Sequence, residues 1–133
     1  MEKDFWTWHS KKEKVDEKAT RVFFHEREIW FCHLGTNVGF EQDGKGENFG
    51  RPIVVFRKFN NEVFWGVPLT TRTKGGKFYF PITIGIGDDT SRKAILSQLR
   101  LLDAKRLYQK IGTIDSATHK RLEEAIIRLA QGK

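Results

Sequence analysis

The stretch that decides the fold is residues 51–71, RPIVVFRKFNNEVFWGVPLTT. Two runs rich in Val, Phe and Trp are separated by the polar pair Asn60-Asn61. β-branched and aromatic residues favour strands and asparagines favour tight turns, so the pattern predicts a β-hairpin. In a hairpin, the start of the first strand lies beside the end of the second. Arg51 and Thr70 are therefore expected at the same end of the sheet.

Further short runs flank this hairpin at residues 27–34 (REIWFCHL), 77–85 (KFYFPITIG) and 94–102 (AILSQLRLL). Glycine-containing turns separate the runs, and five short strands joined by turns predict a small antiparallel barrel. Pro81 has no N–H group to give to a neighbouring strand, so its strand is expected at an edge of the sheet or with a bulge.

The N-terminal segment is predicted to be helical. Residues 3–20 contain no Gly or Pro and carry Trp8 and Val15 on one thin apolar face, together with Phe5 and Ala19. Because Trp6 and Trp8 would be unusual in a free tail, we expect this helix to pack on the body of the domain. Covering a groove and extending a dimer contact are the alternatives. We divide the chain into a helical extension, 1–25, and a barrel domain, 26–133.

The C-terminal segment is predicted to form a second helix. Asp115 or Ser116 is suited to cap its start, and Gly132 is suited to end it. Its apolar residues recur at the spacing of a single buried face, and they are Leu122, Ala125, Ile126 and Leu129.

The chain is basic, with 24 Lys and Arg against 17 Asp and Glu and a formal net charge of +7. This balance favours a polyanionic partner such as RNA or DNA, because binding releases condensed counterions. General solubility is the alternative explanation. The length of 133 residues fits one domain.

Cys32 is the only cysteine, and the four histidines show no metal-ligand spacing with it. We therefore expect no disulfide, no metal site and no cofactor, and we expect Cys32 to be a small buried apolar residue. No segment has the length and apolarity of a signal sequence or a membrane span, so we expect a cytoplasmic protein without membrane contact.

Arg51, Thr70 and Glu41 are the candidate catalytic residues. Metal-independent cleavage of RNA needs a base for the ribose 2'-hydroxyl, positive charge for the phosphorane and a proton for the departing oxygen. The guanidinium of Arg51 supplies the charge, and Pro52 restricts the strand entrance that carries it. Thr70 can hold a phosphate oxygen, and Glu41 can accept a proton or orient Arg51. A surface ion pair and an ordinary strand threonine are the alternative explanations.

Four motifs occur together, namely GFEQ at 39–42, GRPIVVF at 50–56, GVPLTT at 66–71 and SQLRLLD at 97–103. KIG at 110–112 and an acid-capped helix follow them. Over about residues 26–130 this combination resembles the MazF/PemK family, the ribonuclease toxins of type II toxin-antitoxin pairs. The resemblance implies an SH3-like barrel with a C-terminal helix, of MazF/PemK/CcdB type, that forms a homodimer.

The resemblance also implies roles for particular residues. Arg51 matches the family's catalytic arginine, Thr70 matches the serine or threonine that works with it, and Glu41 matches the glutamate of the GFEQ loop. The residues that would line the groove for single-stranded RNA are Gln42, Gln98 and Arg100. The implied products are a 2',3'-cyclic phosphate and a 5'-hydroxyl end, and a cognate antitoxin is expected to fill the groove.

Three features depart from the family pattern. Residues 43–50, DGKGENFG, form a longer loop than is common, and Lys45 within it is expected to reach a phosphate. Phe40 and Ser97 stand where some members have a histidine and an aspartate, so a mechanism that relies on those side chains does not apply here. The turn after Thr70 offers further candidate RNA contacts, with a solvated turn as the alternative: Arg72, Lys74 and Lys77.

We therefore predict a toxin of a bacterial type II toxin-antitoxin system that cleaves mRNA as a sequence-selective, metal-independent endoribonuclease. The alternative is a non-catalytic barrel that binds nucleic acid or poisons a protein target such as a topoisomerase, since a fold does not fix a function.

Overall fold

The structure, a computed structural model, describes residues 2–72, 75–84 and 91–133. Within them, two α-helices accompany an antiparallel sheet of seven strands. In chain order the elements are α1 (Phe5–Asp16), β1 (Glu28–His33), β2 (Gly50–Lys58), β3 (Val63–Thr70), β4 (Tyr79–Ile82), β5 (Arg92–Ile95), β6 (Arg100–Asp103), β7 (Leu107–Thr113) and α2 (Ser116–Ala130). Two 3₁₀ turns, Leu96–Gln98 and Ala104–Arg106, lie on either side of β6.

The strands follow the order β4-β5-β3-β2-β1-β7, and β6 pairs with β3. The end of β3 pairs with β5 through Leu69 and Thr70, whereas its beginning, residues 63–66, pairs with β6. Across the described residues β4 and β7 end this path, so the strands form an open barrel. The predicted mainly β fold with an N-terminal and a C-terminal helix is confirmed. Pro81 lies in β4, at an edge of the sheet as predicted.

The strand count differs from the prediction of five. The run 94–102 contains a 3₁₀ turn at Leu96–Gln98, which divides it between β5 and β6. Residues 107–113, LYQKIGT, form β7, which was not predicted as a strand. Polar residues interrupt this segment, and its pairing with β1 carries two register shifts. Its strand structure is therefore imposed by β1 rather than by its own apolar pattern.

Both faces of β2 are buried. Successive side chains of a strand point to opposite sides, and those of β2 enter two different hydrophobic clusters. Ile53 and Val55 pack with Phe64 in one hydrophobic cluster. Val54 packs in the other cluster with Leu122 of α2. Arg51 lies at the start of this strand, so the backbone that carries it is held by both halves of the core.

α2 forms as the sequence predicts. The Asp115 side chain accepts a hydrogen bond from Thr118 N at 2.6 Å, which caps the helix start. Leu122 is fully buried, and Gly132, with φ +78°, follows the helix end. The helix thus places its single apolar face on the cluster that contains Val54.

α1 packs on the barrel, as predicted, through fewer residues than the sequence suggested. Trp8 and Val15 are its buried side chains, whereas Trp6 is 83% exposed. Gly35 has φ +80° and lies directly beneath the Trp8 indole, where a Cβ would overlap the ring. Phe49 contacts the same indole, with ring centroids 5.3 Å apart. Trp8 therefore joins the helix to both ends of the segment between β1 and β2.

Cys32 is fully buried in β1, as predicted, and burial raises the pKa of its thiol to about 12. In the described part of the chain, no group of three or more His, Cys, Asp or Glu side chains is arranged to hold a metal ion. No helix formed by these residues has the length and apolarity needed to cross a bilayer.

Candidate functional site

Arg51 and Thr70 line the same pocket, a cavity of about 130 Å³. In the pairing of β2 with β3, Ile53 lies opposite Pro68. Continuing this antiparallel register by two residues places Arg51 opposite Thr70. The hairpin therefore brings the two side chains together at one end of the sheet.

Three oxygen atoms hold the Arg51 guanidinium. Its Nη1 donates to Leu69 O at 3.0 Å and its Nε donates to Asp43 O at 2.7 Å. The Gln42 amide, in the orientation that satisfies both its oxygen and its nitrogen, accepts from Nη2 at 2.8 Å and from Nε at 3.3 Å. All three oxygens are uncharged, and of the five guanidinium N–H groups they leave one on Nη1 and one on Nη2 for a ligand. The charge of Arg51 thus remains available for an anion.

The pocket around Arg51 is strongly cationic. Its lining includes Lys45, Arg72 and Arg92 as well as Arg51. Burial, followed by the positive charge of Arg72, lowers the pKa of the Arg51 guanidinium, and Asp43 opposes this effect. Lys45, Arg51 and Arg72 around this small cavity create a positive potential that favours a phosphate group.

Thr70 is nearly buried, at 7% exposure, at the end of β3. Its Oγ1 accepts a hydrogen bond from Arg72 N at 3.2 Å, and its backbone pairs with Lys93 of β5. A hydroxyl that accepts in this way retains its own proton for a second bond. Thr70 is therefore fixed in position and able to donate to an anion in the pocket.

A second pocket, of about 320 Å³, brings the GFEQ loop and the QLR tract together. Gln42 N donates to Gln98 Oε1 at 3.3 Å, and Gln98 Nε2 donates to Phe40 O at 3.1 Å. Glu41, Arg100 and Ser97 line the same cavity. Since Gln42 also binds Arg51, it connects the second pocket to the first.

Among the described residues, the groups that contact the Arg51 guanidinium do not include Glu41, for which orienting Arg51 was one of two predicted roles. Its carboxylate accepts a hydrogen bond from Val38 N at 3.0 Å and is exposed in the second pocket. Gln42, Asp43 and Leu69 provide the orienting contacts instead. The other predicted role of Glu41, as a proton acceptor, is compatible with its exposed carboxylate.

The remaining predicted contacts divide between the two pockets and the surface. Lys45 and Arg72 lie at the first pocket, and Arg100 lies at the second. Lys77 is exposed, with Nζ 5.6 Å from the Phe78 ring centroid. Lys74 lies outside the described residues.

Sequence reasoning did not find Asp43, whose backbone oxygen holds Arg51. A backbone carbonyl has no side-chain signature, so its position becomes visible only once the loop is folded. The one local signal was Gly44, where a Cβ would overlap Phe49 O and where only glycine fits.

Residues 25–130 match the sequence profile of a family described as PemK-like, MazF-like toxin of type II toxin-antitoxin system. The chain belongs to this family. The resemblance to MazF and PemK toxins is thereby confirmed over most of the chain. Among curated proteins, none matches the chain in sequence.

Solved structures with the MazF fold agree with this assignment. MazF (Form-I) from Deinococcus radiodurans superposes with a TM-score of 0.64 at 16% identity, over 83% of this chain and 98% of that chain. Toxin MazF-mt6 from Mycobacterium tuberculosis gives 0.60 at 16% identity, over 79% and 97%. An endoribonuclease from mycobacterial species, in complex with its cognate antitoxin, gives 0.56 at 14% identity, over 80% and 93%. The PemK-like chain therefore shares their fold at low sequence identity.

Proposed function

We propose that the chain is the toxin of a toxin-antitoxin pair and acts as a sequence-selective, metal-independent endoribonuclease on single-stranded mRNA. The products are a 2',3'-cyclic phosphate and a 5'-hydroxyl end. The observation that carries the proposal is the cationic pocket that Arg51 and Thr70 share. Its size and charge suit a phosphodiester, and two structural neighbours from mycobacterial species are described as endoribonucleases.

Arg51 and Thr70 bind the scissile phosphate in this proposal. The two uncommitted N–H groups of Arg51 bond the non-bridging oxygens, and Thr70 Oγ1 donates to one of them. Because the guanidinium is held by uncharged acceptors, its full charge can stabilise the phosphorane. Burial lowers the pKa of Arg51, which strengthens these hydrogen bonds, and the departing 5'-oxygen takes its proton from water to give the 5'-hydroxyl.

Glu41 is the proposed acceptor of the 2'-hydroxyl proton. Its carboxylate is exposed in the second pocket, one residue before Gln42, which contacts Arg51. An RNA strand that crosses from the second pocket to the first passes this carboxylate. In this scheme a nucleotide lies beside Glu41 and its 3'-phosphate lies beside Arg51.

The two pockets define the proposed path of the RNA. Gln98 and Arg100 contact the strand at the second pocket, and Gln42 contacts it between the pockets. Lys45 and Arg72 neutralise backbone phosphates at the first pocket. Lys74, close in sequence to Arg72, is a further proposed phosphate contact.

The proposed protein partners are a second copy of the chain and a cognate antitoxin in the bacterial cytoplasm. The mycobacterial complex and the MazE-MazF (Form-II) structure from Deinococcus radiodurans are antitoxin complexes of proteins with this fold. An acidic antitoxin segment that occupies the first pocket would meet Lys45, Arg51 and Arg72 and exclude RNA.

The test is incubation of the purified chain with a long mixed RNA in EDTA. We expect discrete fragments whose 3' ends carry a cyclic phosphate. Arg51→Ala should abolish these fragments, and Arg51→Lys should restore little activity because it lacks the planar fork. Arg57→Ala is the matched control, since Arg57 lies in the same strand but is paired with Glu123 on α2. Circular dichroism verifies that each variant is folded.

Undiminished cleavage by Arg51→Ala would remove Arg51 from the mechanism. RNA that is bound but left intact by the wild-type chain would contradict the endoribonuclease proposal and favour the non-catalytic alternative.

A further inference from the structure

The N-terminal segment, which precedes the family-matched residues 25–130, contacts the loop that orients Arg51. We propose that Lys3 is a positioning residue: it binds the loop of residues 37–43 and thereby fixes the Gln42 and Asp43 oxygens that hold Arg51. This inference rests on the proposed function.

Lys3 contacts this loop at three points. Its Nζ donates to Asn37 O at 2.5 Å and to Gly39 O at 3.3 Å. It also forms an ion pair with Asp43 Oδ2 at 3.0 Å. The two charged side chains are about one-third exposed or less, so solvent screens the pair only in part. One side chain therefore connects the beginning and the end of the loop.

The loop is closed on itself at the place where Lys3 binds. Gly44 N donates to Gly35 O at 2.7 Å, and Asn37 N donates to Asp43 Oδ1 at 2.6 Å. Asn37 Nδ2 donates to Gln42 O at 2.8 Å. Lys3 pairs with the Asp43 carboxylate, which accepts the hydrogen bond from Asn37 N. It therefore stabilises the loop where residues 37 and 43 meet.

α1 fixes the position of Lys3. The helix begins at Phe5 and is capped by Asp4, whose side chain accepts from Thr7 N at 2.9 Å. Trp8 anchors the first turn against Gly35 and Phe49. Lys3 lies immediately before the cap. The helix that packs on Gly35 and Phe49 therefore also places the Lys3 ammonium beside Asn37 and Asp43.

The effect of Lys3 on Arg51 is transmitted through the successive residues Gln42 and Asp43. Asp43 O accepts from Nε, and the Gln42 side chain accepts from Nη2. Leu69 O is the remaining acceptor and belongs to β3 rather than to the loop. A looser loop would leave the guanidinium with one fixed partner, and small misplacements of a reacting group reduce turnover steeply.

The first test measures the loop itself, without using activity. Hydrogen-deuterium exchange of peptides covering residues 36–48 is compared in the full-length wild-type chain, Lys3→Met, Lys3→Arg and Lys14→Met. We expect faster exchange in Lys3→Met, with near wild-type exchange in Lys3→Arg. Lys14, which is exposed on α1, is the control for loss of one positive charge. Unchanged exchange in Lys3→Met would overturn the proposed contact between segment and loop.

The second test measures single-turnover and steady-state cleavage of one RNA. For Lys3→Met we expect kcat to fall about two- to fivefold, the range for losing a partly exposed ion pair, with KM nearly constant. Lys3→Arg should recover most of the loss. In an Asp43→Asn background, the Lys3→Met effect should shrink, since the two residues act through one contact.

The outcomes separate the two proposals. Faster loop exchange with unchanged kcat in Lys3→Met would overturn the positioning role while leaving the endoribonuclease proposal standing. A wild-type chain without cleavage would overturn the proposed function together with the positioning role of Lys3, and the exchange measurement would still decide whether Lys3 holds the loop.

Discussion

Gln42 contacts Arg51 and Gln98 at once: its side-chain oxygen lies 2.8 Å from Arg51 Nη2, and its backbone nitrogen lies 3.3 Å from Gln98 Oε1. The residue therefore links the cationic pocket to the pocket lined by Glu41 and Arg100. It binds Arg51 without reducing its charge, because an amide is neutral. A carboxylate in place of this amide would keep the contact but offset the charge of Arg51.

Gln42→Glu should keep the contact with Arg51 and reduce cleavage. The new carboxylate pairs with the guanidinium and competes with the phosphate for it. We expect kcat/KM for RNA to fall about tenfold or more, with little change in the free energy of unfolding. Gln109→Glu, on the exposed face of β7, controls for the change in net charge. Cleavage by Gln42→Glu at the rate of Gln109→Glu would contradict the role assigned to this pocket.

Thr70→Val removes the hydroxyl and retains the branched shape of a buried side chain. A hydrogen bond to a charged group contributes about 1.5–3 kcal/mol, so we expect cleavage to fall about ten- to a hundredfold. Thr70→Ser should retain most activity because it keeps the hydroxyl. Thr113→Val, exposed at the end of β7, is the control. If Thr70→Val and Thr70→Ser cleave equally well, the hydroxyl does not bind the phosphate.

Gly35→Ala should release Trp8 from the barrel. The substitution strains a backbone with φ +80° and places a methyl group in the space of the indole. We expect the free energy of unfolding in urea to fall by about 1–3 kcal/mol. Gly39→Ala is the matched control, because Gly39 also has positive φ, at +55°, but faces open space. Equal losses for both variants would show that the Trp8 contact contributes nothing to stability.

The ionisation of Glu28 should make the free energy of unfolding depend on pH in the acidic range. Burial raises the pKa of its carboxyl, but hydrogen bonds from Trp30, Lys110 and His25 outweigh burial and lower it. A carboxyl with a lowered pKa stabilises the fold above its unfolded pKa and loses this contribution as pH falls through its folded pKa. The free energy of unfolding should therefore decline below about pH 4.5 more steeply in the wild type than in Glu28→Gln.

The control for that titration is Glu124→Gln, an exposed change on α2 that should follow the wild-type profile. Parallel pH profiles for the wild type and Glu28→Gln would show that the folded and unfolded states hold this proton equally.

The hairpin that positions Arg51 and Thr70 could be predicted because its strands carry strong apolar patterns and its turn carries Asn60-Asn61. The Asn60 side chain indeed accepts from the N–H groups of Glu62 and Val63 in that turn. Turn hydrogen bonds and strand patterns of this kind join residues that are close in sequence. They can therefore be predicted from the sequence alone.

The contacts around the guanidinium could not be predicted in the same way. Asp43 acts through its backbone oxygen, and Lys3 acts on a loop more than thirty residues away. β7 is a strand only because β1 supplies its partner. In each case, the deciding interaction joins segments that are distant in sequence and carry no shared pattern.

The burial of β2 on both faces has a consequence for how the proposed site can change. Central strands exchange and open with nearly the full free energy of unfolding, whereas surface loops open at little cost. Arg51 stands at the start of such a strand, while residues 36–48 lie in a loop. We expect insertions and substitutions to accumulate in that loop away from Gln42, Asp43 and Gly44, while the strand backbone that carries Arg51 stays constant across descendants.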